Sequence, residues 1–185
     1  TGRNQEVTQA IQALSRFYKL TLSRNGLMNS IETELQHVSL YIRLQNMRYD
    51  NCVTFVMDVP DELYDYTIPK LTFQPIVENA MIHGLADCDE GTIHVKVYRM
   101  EEKGLLCIEV TDNGCGISDE VLKRLNSRDR EKLSGHIGFY NVDMVIRLHY
   151  GDGYGLQAER REESGSCVRI LLPDRGEEAA VREKD

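Results

Sequence analysis

The chain has 185 residues, enough for one ordinary domain with an appendage or for two small domains. A hydrophobic fraction of 41% excludes a disordered protein, and a net charge of −8 excludes the basic footprint of a general nucleic-acid binder. The five cysteines form no Cys-x-x-Cys pair, which favours a reduced, cytoplasmic chain. No transmembrane run or signal peptide is recognisable, and the start on Thr1 rather than methionine indicates a piece of a longer protein.

Two amphipathic helices are predicted ahead of the first strand. Apolar residues recur every three or four positions from Val7 to Leu22 and again from Ile31 to about Tyr49. Gly26 breaks the pattern, and Asn29 or Ser30 is expected to cap the second helix. The short connection predicts an antiparallel hairpin. Its apolar stripes must be buried on the next domain, on upstream sequence or on another chain.

A strand and a third helix follow the hairpin. Residues from Cys52 to Val59 alternate between apolar and polar, which predicts a strand. A helix is predicted over Gln74–Gly84, and Pro75 requires it either to begin near Thr72 or to kink. Gly84 is expected to end this helix in the left-handed conformation.

The third helix carries polar groups that packing does not require. Asn79 and His83 are four residues apart and point the same way, with Glu78 beside them. An amide within an otherwise apolar helix is a poor choice for packing alone. A helix with one solvated polar face remains the alternative interpretation.

A second polar feature follows a predicted hairpin over Ile93–Val110. Its second strand leads into Asp112-Asn113-Gly114-Cys115-Gly116. A carboxylate at the end of a buried strand needs a partner, and the exocyclic amine of adenine is one. The two glycines after it allow a ligand to approach the backbone closely. An ordinary Asp-Asn-Gly turn is the alternative.

A glycine pair opens the last predicted helix. Ser118 caps a short helix ending at Leu125, and the polar segment 126–134 is expected to be mobile because it lacks apolar periodicity. Gly135-x-x-Gly138 then begins a helix, whose N-terminal amides favour phosphate, although a plain helix entry explains the glycines equally well. A Walker loop is excluded, because no Gly-Lys-Ser/Thr is present.

The predicted elements define a fold class. Strands at Tyr154–Arg161 and Cys167–Leu172 close the chain as a hairpin. Five strands and three helices then form an α+β two-layer sandwich, in which a mixed, mainly antiparallel sheet carries the helices on one face. The predicted domains are a helical region over 1–50, a main domain over 51–173 and a disordered charged tail over 174–185.

The three polar features in this order resemble the ATP-binding domain shared by histidine kinases, gyrase, Hsp90 and MutL, the Bergerat fold. Gln74–Leu85 resembles its N box, Asp112–Gly116 its G1 box, Gly135–Asn141 its G2 box, and Ser164–Val168 the small-residue turn before its last strand. The wording at 72–84, 136–142 and 148–151 is most similar to LytS-type sensor histidine kinases. The helices at 6–49 resemble the later part of their dimerisation region.

The resemblance implies a role for each residue of the site. Asp112 would bind the adenine amine, and Gly114 and Gly116 would shape the base pocket, with Ile117 and Ser166 also in the nucleotide-binding set. At the phosphate end, Asn79 would coordinate the Mg²⁺ that bridges the ATP phosphates. His83 would approach the phosphates, and Glu78 would polarise the transfer. Gly135 and Gly138 would flank a lid that closes over the phosphates.

Two departures from the family pattern qualify the implied activity. The residue before His83, often Lys in this branch, is Ile82, so an Arg or Lys of the lid would supply that phosphate contact. The phosphate-accepting Asn-Pro-His-Phe motif is absent. His37, His94 and His149 occupy ordinary helix or strand positions, so we expect ATP binding without autophosphorylation on the proper histidine.

The resemblance also implies partners. The full-length protein would be a homodimer that passes its phosphoryl group to a response regulator. This chain would be a cytoplasmic domain, anchored to a membrane only through upstream segments that the sequence does not contain.

Two other functions fit the sequence less well than a kinase does. ATPases of the gyrase, Hsp90 or MutL kind and anti-sigma-factor kinases lack the preceding hairpin, and the ATPases place an acid where Pro75 stands. A non-catalytic nucleotide-binding module is disfavoured, since Asn79, Asp112, Gly114 and Gly116 are all present.

Overall fold

The computed structural model describes residues 11–12, 14–15, 26–49, 53–85, 90–126 and 137–174. The elements in chain order are β1 (Met28–Ser30), α1 (Ile31–Tyr49), β2 (Thr54–Asp58), β3 (Thr67–Pro69), α2 (Gln74–Asn79), β4 (Thr92–Met100), β5 (Leu105–Asp112), α3 (Asp119–Asn126), α4 (Ile137–Tyr150), β6 (Gly155–Arg160) and β7 (Ser166–Pro173). A π-helical turn over Ala80–Gly84 continues α2 without a break.

The main sheet has the strand order β2-β4-β5-β7-β6 within the described residues. β2 runs parallel to β4, and the remaining neighbours are antiparallel. The predicted mixed, mainly antiparallel sheet is therefore confirmed. A small second sheet pairs β1 with β3 and was not predicted, because three-residue strands are too short to show an alternating pattern.

One hydrophobic core joins the inner face of the sheet to the helices. Alternate residues of the central strands, such as Val95 and Ile108, are fully buried there. Ile31 and Val38 on α1 belong to the same core. The helix layer of the described chain therefore contains α1 as well as the three predicted helices. Of the burial sites left open for the second helix, the structure shows the following part of the same chain, because α1 packs against β1 and α2 and shares their core.

Several sequence predictions concern segments that lie wholly or mostly outside the described residues. Residues 11, 12, 14 and 15 of the first predicted helix are helical, and the rest of that helix lies outside the described residues. The same holds for most of the polar segment 126–134 and for the tail after Asp174. The division into domains at residue 50 stays a prediction. Within the described ranges, no helix is both long and apolar enough to cross a membrane.

The start of α1 resolves which residue caps it. The Ser30 hydroxyl accepts a hydrogen bond from the Thr33 amide at 3.2 Å, so Ser30 fills the role predicted for Asn29 or Ser30. The Asn29 side chain instead donates to the Glu34 carboxylate at 2.8 Å.

The start of the α2 segment agrees with the alternative that places Pro75 in the first turn, whereas its end differs from the prediction. The helix begins at Gln74, so Pro75 lies in the first turn, where its missing N–H is tolerated. The segment ends on a π turn, in which the Leu85 amide donates to the Ala80 carbonyl at 2.8 Å. Gly84 does not have a positive φ, so the predicted left-handed stop is wrong. Turns of this kind are frequent at functional sites.

Candidate nucleotide site

Asp112 is the last residue of β5, and its side chain is only 4% exposed. Its Oδ1 accepts a hydrogen bond from the Gly114 amide at 2.9 Å, and the Ser166 hydroxyl bonds its Oδ2. A buried carboxylate requires partners of this kind. Ser166 begins β7, which pairs with β5, so the sheet brings together two of the predicted site residues.

The glycines around Asp112 are required by close contacts of the backbone. A Cβ on Gly114 would lie 1.9 Å from the Gly84 carbonyl oxygen, and one on Gly165 would lie 1.9 Å from the Asp112 carbonyl oxygen. The Cys115 amide also donates to the Gly84 carbonyl at 2.9 Å. The end of the α2 segment therefore packs directly on the glycine turn after β5, and side chains are excluded from the contact.

Together with Gly114 and Gly165, Gly84 and Gly116 form a glycine-lined cradle around Asp112. A Cβ on Gly84 would lie 3.1 Å from Asp112 Oδ1, so the glycine keeps the space beside the carboxylate open. Gly116 has a φ of +79°, a conformation that side chains rarely adopt. The next residue, Ile117, is buried at 6% exposure, and its role in a base pocket stays a prediction.

Sequence reasoning missed the two arginines that hold the glycine turn. Arg160 donates from Nε and Nη2 to the Ile117 carbonyl, at 3.3 and 2.9 Å. Arg161 Nη1 donates to the Asp112 carbonyl at 3.1 Å. These partners lie 43 and 49 residues away along the chain, so no local pattern could have identified them.

Asn113 had a usable sequence signal, since asparagine is frequent in turns. Its Oδ1 accepts from the Thr92 amide at 2.7 Å, and its Nδ2 donates to the Glu90 carbonyl at 3.1 Å. The side chain therefore ties the turn to the start of β4. It supports the site but was not predicted as a member of it.

The α2 segment carries the predicted phosphate-end residues. Glu78 and Asn79 are half-buried, whereas His83, in the π turn, is exposed. The Gln74 amide donates to Glu78 Oε1 at 2.6 Å across one helical turn and so orients that carboxylate. In the described chain, no cluster of three or more His, Cys, Asp or Glu could hold a metal ion. Asn79 carries an amide oxygen, which is a ligand type that Mg²⁺ accepts beside substrate phosphates.

Gly138 lies in the first turn of α4, where a Cβ would come 3.0 Å from the Pro75 Cβ. The N-terminus of α4 therefore packs against the first turn of α2. Gly135 lies outside the described residues, so its role beside a lid stays a prediction. The structure thus gathers Asp112, Gly114, Gly116, Ile117 and Ser166 around one turn, with Glu78, Asn79 and His83 on the segment that contacts it.

The other described histidines occupy ordinary positions, as expected. His37 is buried on α1, and burial lowers the pKa of its imidazole. His94 on β4 and His149 on α4 are partly buried.

Comparison with known proteins defines the class. Residues 64–176 match the family model described as "Histidine kinase-, DNA gyrase B-, and HSP90-like ATPase", and residues 1–53 match a model described as "Histidine kinase". Because the first match covers more than half of the chain, the chain belongs to the histidine kinase, gyrase B and Hsp90-like ATPase family. The resemblance seen in the sequence is thereby confirmed.

Similar curated proteins are sensor histidine kinases. The chain is 27% identical over 176 residues to the sensor histidine kinase YesM of Bacillus subtilis, covering 95% of this chain and 29% of YesM. It is 30% identical over 168 residues to the sensor histidine kinase YpdA of Escherichia coli, covering 90% of this chain and 28% of YpdA. It is 27% identical over 180 residues to the sensor protein LytS of Bacillus anthracis, covering 96% and 30%. The chain therefore spans less than a third of these relatives.

Solved structures confirm the fold. The histidine kinase domain of the blue-light activated kinase EL346 from Erythrobacter litoralis superposes with a TM-score of 0.59 at 17% identity, covering 97% of this chain and 80% of that one. The mycobacterial sensor histidine kinase MprB gives 0.58 at 15% identity, covering 80% and 99%. At these identities the likeness concerns the fold alone.

Proposed function

We propose that this chain is the ATP-binding catalytic part of a two-component sensor histidine kinase. The observation that carries the proposal is the buried Asp112 carboxylate, which lies in a glycine-lined cradle against the end of the Asn79 segment. Family membership and the names of the relatives support the same activity.

The cradle suits the base of the nucleotide. A carboxylate offers about four lone-pair sites, and the Asp112 carboxylate uses one for the Gly114 amide and one for Ser166. The remaining capacity would accept a hydrogen bond from the adenine amine. Gly114, Gly116 and Ile117 would border the ring, because the glycines leave room beside the backbone.

The phosphate end would be formed by the α2 segment. The Asn79 amide oxygen is a hard ligand of the kind that Mg²⁺ accepts beside substrate phosphates. When bound, Mg²⁺ would neutralise part of the phosphate charge. His83 is exposed and would approach the phosphates, while Gly135 and Gly138 would flank a lid.

Glu78 would polarise the histidine that attacks the γ-phosphoryl group, and Gln74 would hold the Glu78 carboxylate in place. The Asn-Pro-His-Phe motif does not occur in these 185 residues. In this proposal, the acceptor histidine therefore lies in another part of the full-length protein. That protein would be a membrane-anchored homodimer that passes the phosphoryl group to a response regulator.

Calorimetric titration of the chain with ATP, in Mg²⁺ or in EDTA, tests the proposal. We expect binding in both buffers and tighter binding in Mg²⁺. Binding that does not respond to Mg²⁺ would favour a non-catalytic module, and no binding in either buffer would refute the proposed function. In a separate incubation with labelled ATP and Mg²⁺, an acid-labile phosphohistidine on this chain would contradict an acceptor that lies elsewhere.

A further inference from the structure

A buried carboxylate on α1 reaches the entry of α2. Glu34 is only 1% exposed. Its Oε1 accepts from the Asn29 amide group at 2.8 Å and from the Leu71 backbone amide at 3.1 Å, and its Oε2 accepts from the Thr72 backbone amide at 3.0 Å. Burial raises the pKa of the Glu34 carboxyl, and these N–H donors oppose that shift. Both carboxylate oxygens therefore accept hydrogen bonds from the backbone just before α2, and one of them also accepts from Asn29.

The backbone that Glu34 holds is strained. Leu71 has a φ of +60°, in the left-handed region that a leucine rarely adopts. The Thr72 hydroxyl donates to the Pro69 carbonyl at 2.6 Å and closes the same turn. Strained backbone persists only where its surroundings over-determine it, and the carboxylate supplies that restraint.

The restraint acts on the direction of α2. The first amides of a helix lack partners within the helix, and the residue before α2, Phe73, has no side-chain cap. Glu34 supplies a negative charge and hydrogen-bond acceptors at this entry. Because α2 has only six residues, its entry strongly affects where Glu78 and Asn79 point.

We propose that Glu34 is a positioning residue for the nucleotide site, which fixes the entry of α2 and thereby aims Asn79 at the nucleotide phosphates. This inference rests on the proposed function. Asp112 is held by Gly114 and Ser166, neither of which bonds Glu34, so Glu34 should affect the phosphate end more than the adenine end. A merely structural Glu34 would weaken folding without this selectivity.

The first test compares Glu34→Gln with Ile42→Val, which removes one buried methylene from the same helix two turns further on. The Mg²⁺-dependent gain in ATP affinity should fall about tenfold in Glu34→Gln, a loss of the size expected when bonds to a charged group are removed. Affinity in EDTA should change less than about twofold, since the adenine end is intact. Ile42→Val should keep both values. An unchanged Mg²⁺-dependent gain in Glu34→Gln would overturn the inference.

A double variant tests rescue. In Asn29→Asp/Glu34→Gln the carboxylate moves to position 29. The introduced glutamine can then donate to it while still accepting from the Thr72 amide, and only the Leu71 amide lacks its acceptor. We expect part of the Mg²⁺-dependent gain to return. This variant also carries the test if Glu34→Gln alone does not fold, and a complete absence of the gain in the folded double variant would refute positioning.

Hydrogen exchange without nucleotide separates this inference from the proposed function. Amides of residues 74–84 should exchange faster in Glu34→Gln than in the wild type or in Ile42→Val, while those of β5 stay protected. If the wild type fails to bind ATP, the proposed function fails and exchange alone decides whether Glu34 holds α2. Equal exchange over 74–84 in wild type and Glu34→Gln would overturn the inference.

Discussion

The two ends of the candidate site are built differently. At the adenine end, the buried carboxylate of Asp112 is held by hydrogen bonds within a backbone contact that only glycines permit. At the phosphate end, Asn79 is half-buried and His83 is exposed, both on one short segment. A preformed pocket can bind a base. Phosphates are negatively charged, and a bound metal ion neutralises part of that charge. The proposed adenine end is therefore preformed, whereas the proposed phosphate end would depend on its ligand.

The largest expected effect comes from filling the glycine contact. Gly114→Ala places a Cβ 1.9 Å from the Gly84 carbonyl oxygen, so the turn and the α2 segment must separate. We expect a loss of about 3 kcal/mol in the free energy of unfolding, together with loss of ATP binding. Chemical denaturation and calorimetry measure the two quantities.

Gly153→Ala is the matched control for this substitution, because a Cβ there meets no described atom within 4 Å. It should change stability by less than about 0.5 kcal/mol. Similar stabilities for the two variants would show that the contact is not tight.

Asp112→Asn should weaken ATP binding about 10- to 100-fold, since it removes a charged acceptor from the adenine end. The loss should be the same in Mg²⁺ and in EDTA, because the base is bound independently of the metal. Circular dichroism checks that the variant folds. A loss confined to the Mg²⁺ buffer would mean that Asp112 acts at the phosphates.

Asn79→Ala should produce the opposite pattern. Removing its amide oxygen should weaken binding about tenfold, or about 1.4 kcal/mol, in Mg²⁺ only. Titration in EDTA is the internal control and should match the wild type. Equal losses in both buffers would assign Asn79 to packing rather than to the metal.

Cysteine labelling gives a smaller effect that maps the adenine end. Cys115 is exposed, with its thiol donating to the His83 carbonyl at 3.0 Å, whereas burial raises the pKa of Cys167 to about 12. Alkylation at neutral pH should therefore be at least about tenfold faster at Cys115, as resolved by mass spectrometry. ATP should slow labelling of Cys115 alone. Unchanged labelling with ATP bound would place the nucleotide away from this turn.

The smallest expected effect is a dependence of stability on pH. Burial raises the folded-state pKa of Glu34 above its ordinary value of 4.5, so the folded protein binds the proton more tightly than the unfolded chain. As the pH rises from about 4.5 through that raised pKa, wild type should lose stability relative to Glu34→Gln. Denaturation at several pH values measures this difference. A difference that moves in the opposite direction would mean that the hydrogen bonds outweigh burial.

The sequence alone determined the elements whose signals are local. Alternation predicted the strands of the main sheet, and the spacing of apolar residues predicted the helices, because side-chain periodicity reflects which face is buried. Asp112 and its glycines were recognisable for a similar reason, since the acid and the backbone freedom that it needs are adjacent in the chain.

Only the tertiary structure decided the rest. The β1–β3 pair, the packing of α1 against α2, and the contacts of Arg160 and Arg161 join residues that are far apart in sequence. The α2 segment ends in a π turn instead of the predicted left-handed Gly84, and Gly84 there contacts the turn after Asp112. Such features minimise the free energy of the packed chain as a whole, so no single segment contains enough information to specify them.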